Sequence, residues 1–201
     1  MTGRFIVLEG GDASGKSTQV ARLVARLQGL GKDVIQTFEP GATAAGARIR
    51  SLLLDGDEPL VPAAEALLMA ADRAQHVAEV VRPALARGTW VVSDRYVPST
   101  LAYQGAGRAL DPQMLERMSE WATDGLAADL VLVLDVPDDV AAARRSASDR
   151  MEREAEEFHS RVRDAYRRLA RLRDWTVIDG SGDVDAVEEK LWSVVTERLS
   201  P

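Results

Sequence analysis

Short apolar runs alternate with stretches of helical periodicity from one end of this chain to the other, and that alternation limits its fold more than any other feature. Phe5-Ile6-Val7-Leu8 ends in Glu9-Gly10-Gly11 and leads into Val20, Leu23, Val24 and Leu27. Those four are spaced as one face of a helix, which stops near Gly29 and Gly31. Asp33 to Phe38 reads as a second strand, closed by Glu39-Pro40-Gly41. Pro62 opens a long helix with apolar positions Leu67, Leu68, Ala71, Val77, Val81 and Leu85, closed by Gly88 and kinked in its last turn by Pro83. Thr89 to Ser93 is a third strand. Asp111-Pro112 supplies an N-cap and a first-turn proline to a helix carrying Met114, Leu115, Met118 and Trp121. Leu130 to Val136 is almost purely apolar, as a strand buried on both faces must be. Thr176 to Ile178 is the fifth strand, and Asp183 to Leu199 the last helix, with Val187, Leu191, Val194 and Val195 inward. The pattern predicts an α/β fold: a five-stranded parallel sheet with helices on both faces, in a single domain over residues 1–201.

Composition narrows the function. At 201 residues and 46% hydrophobic, the chain can build a full core. It has no cysteine, which excludes disulfides and thiolate metal sites, and two histidines, His76 and His159, are too few for a histidine-rich one. A net charge of -7 argues against nucleic acid as a partner. No apolar run approaches the roughly 20 residues that cross a bilayer. The first residues enter a strand with no secretory pattern, so a cytoplasmic enzyme is expected. Lys16, Lys32 and Lys190 are the only lysines; the other basic residues are arginine, crowded between Arg144 and Arg173. That crowding reads either as a solvated helix face or as a segment that handles phosphate.

Gly10, Gly11, Asp12, Ala13, Ser14, Gly15, Lys16 and Ser17 match G-x-x-x-x-G-K-[ST] between a predicted strand and a predicted helix, with Thr18 next. In that setting backbone N–H groups and a helix N-terminus converge on phosphate oxygens. Lys16 is placed to reach the β- and γ-phosphates, and the Ser17 hydroxyl faces Mg²⁺. No lysine stands in the Asn-Lys-x-Asp element by which GTPases read guanine, so that class drops out. Asp94-Arg95-Tyr96 follows the third strand directly, on the side of an open sheet where ligands bind.

The order P-loop, Glu39-Pro40-Gly41, Arg50-Ser51-Leu52-Leu53-Leu54, Ala64-Glu65 to Arg73, Asp94-Arg95-Tyr96, Ala102-Tyr103-Gln104-Gly105, Leu134-Asp135-Val136 resembles thymidylate kinases over nearly the whole chain. The resemblance implies the three-layer P-loop NTPase sandwich and transfer of the ATP γ-phosphate to dTMP, with Mg²⁺, in a homodimer packed through helices. It makes Asp12 the acceptor of the sugar 3′-hydroxyl and Arg95 the holder of the acceptor phosphate. Arg73 reads the pyrimidine, Ser99, Thr100 and Gln104 line the base and sugar, and Tyr103 crowds C2′. Glu39, Pro40, Arg50 and Met69 complete the substrate site, and Asp94 joins Ser17 at the metal. The P-loop position that carries an arginine in part of the family is Ala13 here, so the catalytic arginine belongs to a lid around residues 144–156. Within Ser148-Asp149-Arg150-Met151-Glu152-Arg153-Glu154, Arg150 and Arg153 are the first choices, with Arg145 in reserve. Beyond it, Phe158, Val162, Ala165, Leu169 and Leu172 form a core stripe and Arg161, Arg163, Arg167 and Arg168 face solvent. The chain departs from the family at Phe38, commonly arginine, and Met69, commonly phenylalanine. Those departures keep three other readings open: dUMP or a modified deoxynucleotide as acceptor, a deoxynucleoside as acceptor, and a nucleotide-binding module without catalysis.

Overall fold

A computed structural model describes residues 3–55, 59–145 and 149–201. Five parallel strands form one sheet: β1 (Phe5–Gly10), β2 (Val34–Phe38), β3 (Trp90–Asp94), β4 (Leu130–Asp135) and β5 (Thr176–Asp179), in the order β2-β3-β1-β4-β5. The helices are α1 (Lys16–Gly29), α2 (Ala44–Leu54), α3 (Pro62–His76), α4 (Arg82–Ala86), α5 (Val97–Thr100), α6 (Pro112–Thr123), α7 (Asp138–Arg144), α8 (Glu156–Arg173) and α9 (Val184–Leu199).

Alternation along β1 sorts the core. Ile6 and Leu8 face α1 and α9, packing on Val20, Leu23, Leu27, Val187 and Leu191. Phe5 and Val7 face the other way, onto Val77, Val81, Ala84 and Tyr96. A third cluster joins Val133 of β4 to Phe158, Val162, Ala165 and Tyr166 of α8. Each fully buried Leu, Ile or Phe in these clusters contributes about 2 kcal/mol, so both faces of the sheet are held firmly while its carboxyl end stays open. Register brings four strand ends together there. Leu8 and Phe38 both lie opposite Asp94, and Gly10 lies opposite Leu134.

The sequence pattern assigns no element between Gly41 and Pro62, where α2 forms, capped by the Thr43 hydroxyl accepting from Gly46 N at 2.9 Å. The long helix from Pro62 is divided by a π-helical turn over Val77–Val81, just ahead of Pro83. A proline withholds one N–H and crowds the preceding turn, and a widened turn relieves both. The inward face of α3 is also not its apolar one. Leu67 is 62% exposed, whereas Glu65, Asp72, Arg73 and His76 are buried. On α8, Leu172 in the last turn is exposed rather than part of the stripe, and Arg163 is drawn to Asp135 at 2.7 Å rather than into solvent.

Candidate active site

The P-loop leaves β1 through Gly10, whose φ is 139° and where a Cβ would stand 2.4 Å from the Leu134 carbonyl oxygen. Only glycine fits that turn. Lys16 opens α1 and folds back over the loop, its Nζ donating to the Gly11 carbonyl at 2.7 Å. Burial, and then the Arg95 charge, lower its pKa to about 8 against the pull of Asp94, Asp12 and Glu9. An ammonium held that way gains from any anion delivered to the loop. Ser17 Oγ donates to Asp94 Oδ2 at 2.7 Å, joining the helix start to the end of β3. Two hard oxygens side by side suit Mg²⁺, which binds few protein ligands and takes the rest from phosphate and water. Among the described residues no group of three or more acids, histidines or cysteines could enclose a metal by itself.

Arg95 stands just beyond β3 with φ at 75°, a strained value for a non-glycine residue and a mark of a functional turn. Its guanidinium points at the glycine-rich loop. Nη2 donates to Asp12 Oδ1 at 2.5 Å and to the Tyr103 hydroxyl at 3.2 Å; Nη1 donates to the Gly10 carbonyl at 3.1 Å and to Ser99 Oγ at 3.2 Å. Burial by itself would raise Asp12, but Arg95 and Lys16 outweigh it and hold the carboxyl below its ordinary range. Beneath them Glu9, fully buried at the end of β1, accepts from Tyr96 N at 2.8 Å, Ser99 Oγ at 2.7 Å and the Tyr166 hydroxyl at 2.7 Å. Burial raises its pKa despite those bonds and the Arg95 charge.

In front of Arg95 lies a cavity of about 400 Å³. Asp12, Lys16, Ser17, Glu39, Pro40, Arg50, Met69, Arg73, Asp94, Arg95, Ser99, Thr100, Tyr103 and Gln104 all line it. The predicted substrate residues are thus gathered on one void from five separate stretches of chain. Arg73 Nε donates to Glu39 Oε2 at 2.7 Å and Nη1 to Thr100 Oγ1 at 2.8 Å, so the arginine is fixed before any ligand arrives. His76, which the sequence gives no role, closes that network through Glu39 Oε1 at 2.8 Å and Thr37 Oγ1 at 2.6 Å. A second cavity of about 260 Å³ lies on the far side of the loop, lined by Ala13, Ser14, Gly15 and Thr18 with Arg144, Gly180 and Val184. Ala13 borders both.

The lid arginines fall elsewhere than expected. Residues 146–148, including Ser148, lie outside the described residues. Arg150 faces neither cavity: Nε donates to the Leu53 carbonyl at 2.8 Å and Nη2 to Glu65 Oε2 at 2.7 Å. Glu65 is fully buried and draws Arg108 and Gln104 as well, because a carboxylate taken out of water needs cations and donors around it. Arg153 is exposed. Arg145 lines a cleft with Gly11, Asp12 and Ser14, next to the P-loop, and pairs with Glu156 at 2.5 Å. Asp149, Met151 and Glu152 instead line the large cavity. Nothing in linear order marks Glu65 as the partner of Arg150.

A family model described as thymidylate kinase matches residues 8–191. The chain belongs to the thymidylate kinase family. It is similar to curated proteins named thymidylate kinase from Leifsonia xyli subsp. xyli, 50% identical over 94% of this chain and 92% of the relative. A second, from Synechococcus sp. strain JA-2-3B'a(2-13), is 49% identical over 97% and 95%, and a third, from Carboxydothermus hydrogenoformans, 46% over 96% of each. Within this chain the two departures find local answers. The Arg50 guanidinium lies 5.9 Å from the Phe38 ring centroid and donates to the Pro40 carbonyl at 2.9 Å, so α2 brings a cation to the turn that Phe38 leaves without one. Met69 lines the cavity where a more rigid ring is common, giving a pliable wall.

Proposed function

We propose that the chain transfers the γ-phosphoryl group of ATP to dTMP, giving ADP and dTDP, as one kinase domain over residues 1–201 with a lid around 144–156. The observation that carries this reading is the Arg95 guanidinium held against the P-loop, at the wall of a cavity large enough for a nucleotide. ATP occupies the smaller cavity and the loop from Gly10 to Thr18, with its base toward Arg144 and Gly180. The acceptor occupies the larger one, its base near Arg73, Met69, Thr100 and Gln104, its sugar between Asp12 and Tyr103, and its phosphate on Arg95 and Arg50.

A monophosphate with its second pKa near ~6 is already a dianion at neutral pH, so the nucleophile needs no strong base. What opposes reaction is repulsion between two anions in line. Lys16 and Arg95 offset it from the two sides, and a lid cation, Arg145 by its place beside Gly11, adds charge where the transferred group passes. Ser17 and Asp94 would hold Mg²⁺, which supplies charge neutralisation at the phosphates. Asp149, Met151 and Glu152 cover the acceptor and keep water from competing for the phosphoryl group.

Exposed apolar side chains on α2, α3 and α6, with Leu52 and Leu67 at 62% and Trp121 at 84%, favour a homodimer. Among the described residues no helix is long and apolar enough to cross a membrane. A cytoplasmic location and a partner set of ATP and a deoxynucleoside monophosphate, without nucleic acid, complete the proposal. The test is coupled ADP release with ATP, Mg²⁺ and a panel of deoxynucleoside monophosphates. Turnover with dTMP well above the rest is expected; ATP binding without acceptor-dependent release overturns the reading.

A further inference from the structure

Two of the buried polar atoms without a hydrogen-bond partner among the described residues, Asp12 Oδ2 and His159 Nε2, belong to one place. His159 sits in the first turn of α8, directly after the lid, and is 6% exposed. Its Nδ1 lies 3.9 Å from Asp12 Oδ2, beyond hydrogen-bond reach, and both residues line a cavity of about 20 Å³. Buried polar groups are nearly always paired, and an exception calls for an account.

The account lies in Arg95. Here its guanidinium holds Asp12 Oδ1 at 2.5 Å. The acceptor's phosphate needs that same guanidinium; its turning away leaves Asp12 with Lys16 but without the partner of its Oδ1, and a buried carboxylate that loses a charged partner is costly. The other charges on the small cavity are engaged: Arg163 with Asp135 at 2.7 Å and Arg145 with Glu156 at 2.5 Å. His159 is the remaining basic side chain among those lining it, its Nδ1 already 3.9 Å from Asp12 Oδ2. We propose that His159 is a positioning residue that takes over Asp12 when Arg95 turns to the acceptor phosphate, so that the start of α8 is coupled to acceptor binding. The inference rests on the reading of Arg95 as the acceptor-phosphate residue.

Steady-state ADP release and thermal melts on His159→Leu, on His159→Gln, and on each in an Asp12→Asn background test it. His159→Leu raises the acceptor KM about tenfold, the worth of one charge-assisted hydrogen bond, and leaves the ATP KM and the melting temperature near those of the parent. His159→Gln, whose amide still donates, recovers most of the loss. In the Asp12→Asn background His159→Leu adds less than about twofold, since its target is gone. An unchanged acceptor KM in His159→Leu, an equal effect with and without Asp12, or a loss that follows the melting temperature in both substrates overturns the proposal. Arg95→Ala separates the two layers. If it leaves the acceptor KM unchanged, the reading of Arg95 fails; if it raises the KM while His159→Leu does not, only the exchange fails.

Discussion

Asp72→Asn should make this protein more stable at neutral and alkaline pH. Asp72 is 1% exposed on α3, and its Oδ1 accepts from Gly41 N at 2.9 Å. Burial, and then the Glu39 carboxylate nearby, raise its pKa from 3.8 to about 6. Asparagine keeps the acceptor for Gly41 and removes the ionisable proton. The sign follows from the two states. Below pH 3.8 both carry the proton, and Asp72 imposes no pH-linked cost. Between there and about 6 the unfolded chain releases its proton first, so stability falls as pH rises. Above that range the cost is complete. A rise from 3.8 to about 6 corresponds to about 3 kcal/mol. For a chain of this length that is about 6–10 °C in melting temperature. Thermal or urea melts of both proteins near pH 8 and near pH 4.5 check it. The gain should be large at the first and small at the second. An equal gain at both values, or none at pH 8, refutes the argument from burial.

Because Arg150 is tied to Glu65 and Leu53, Arg150→Ala should raise the acceptor KM more than it lowers kcat, whereas Arg145→Ala should lower kcat by about 10²-fold. Steady-state ADP release separates them, and the reverse pattern makes Arg150 the transferring cation. Gly107→Ala should destabilise by about 1–3 kcal/mol, since a Cβ there meets the Phe158 ring at 2.5 Å; urea melts at fixed pH read it. Lys16→Met should cost kcat far more than Arg163→Gln, because Lys16 lies on the P-loop and Arg163 on Asp135; equal losses in steady-state assays would remove Lys16 from its role.

The lining of the large cavity was legible to an unusual degree. Asp12 in the P-loop and Arg95 at the end of β3 follow from motif and strand order, while Arg73, Tyr103 and Gln104, on helical segments, came from the family resemblance. Illegible were the residues that hold them. Glu9, His76 and Tyr166 sit inside apolar patterns, where hydropathy treats a polar residue as noise. Reading periodicity as an inward apolar stripe fails on α3 for the same reason. A helix that walls a polar cavity turns Arg73 and Glu65 inward and leaves Leu67 outside.

Local rules settled what local order can express: apolar runs that must be buried strands, a glycine turn before a lysine, proline and aspartate at a helix start. The partnerships belonged to the folded state. Glu65 takes Arg150 from 85 positions away and leaves Arg153 in solvent. The strength of an ion pair depends on separation and on how much water has been removed. Neither quantity exists until the chain has closed around the pair.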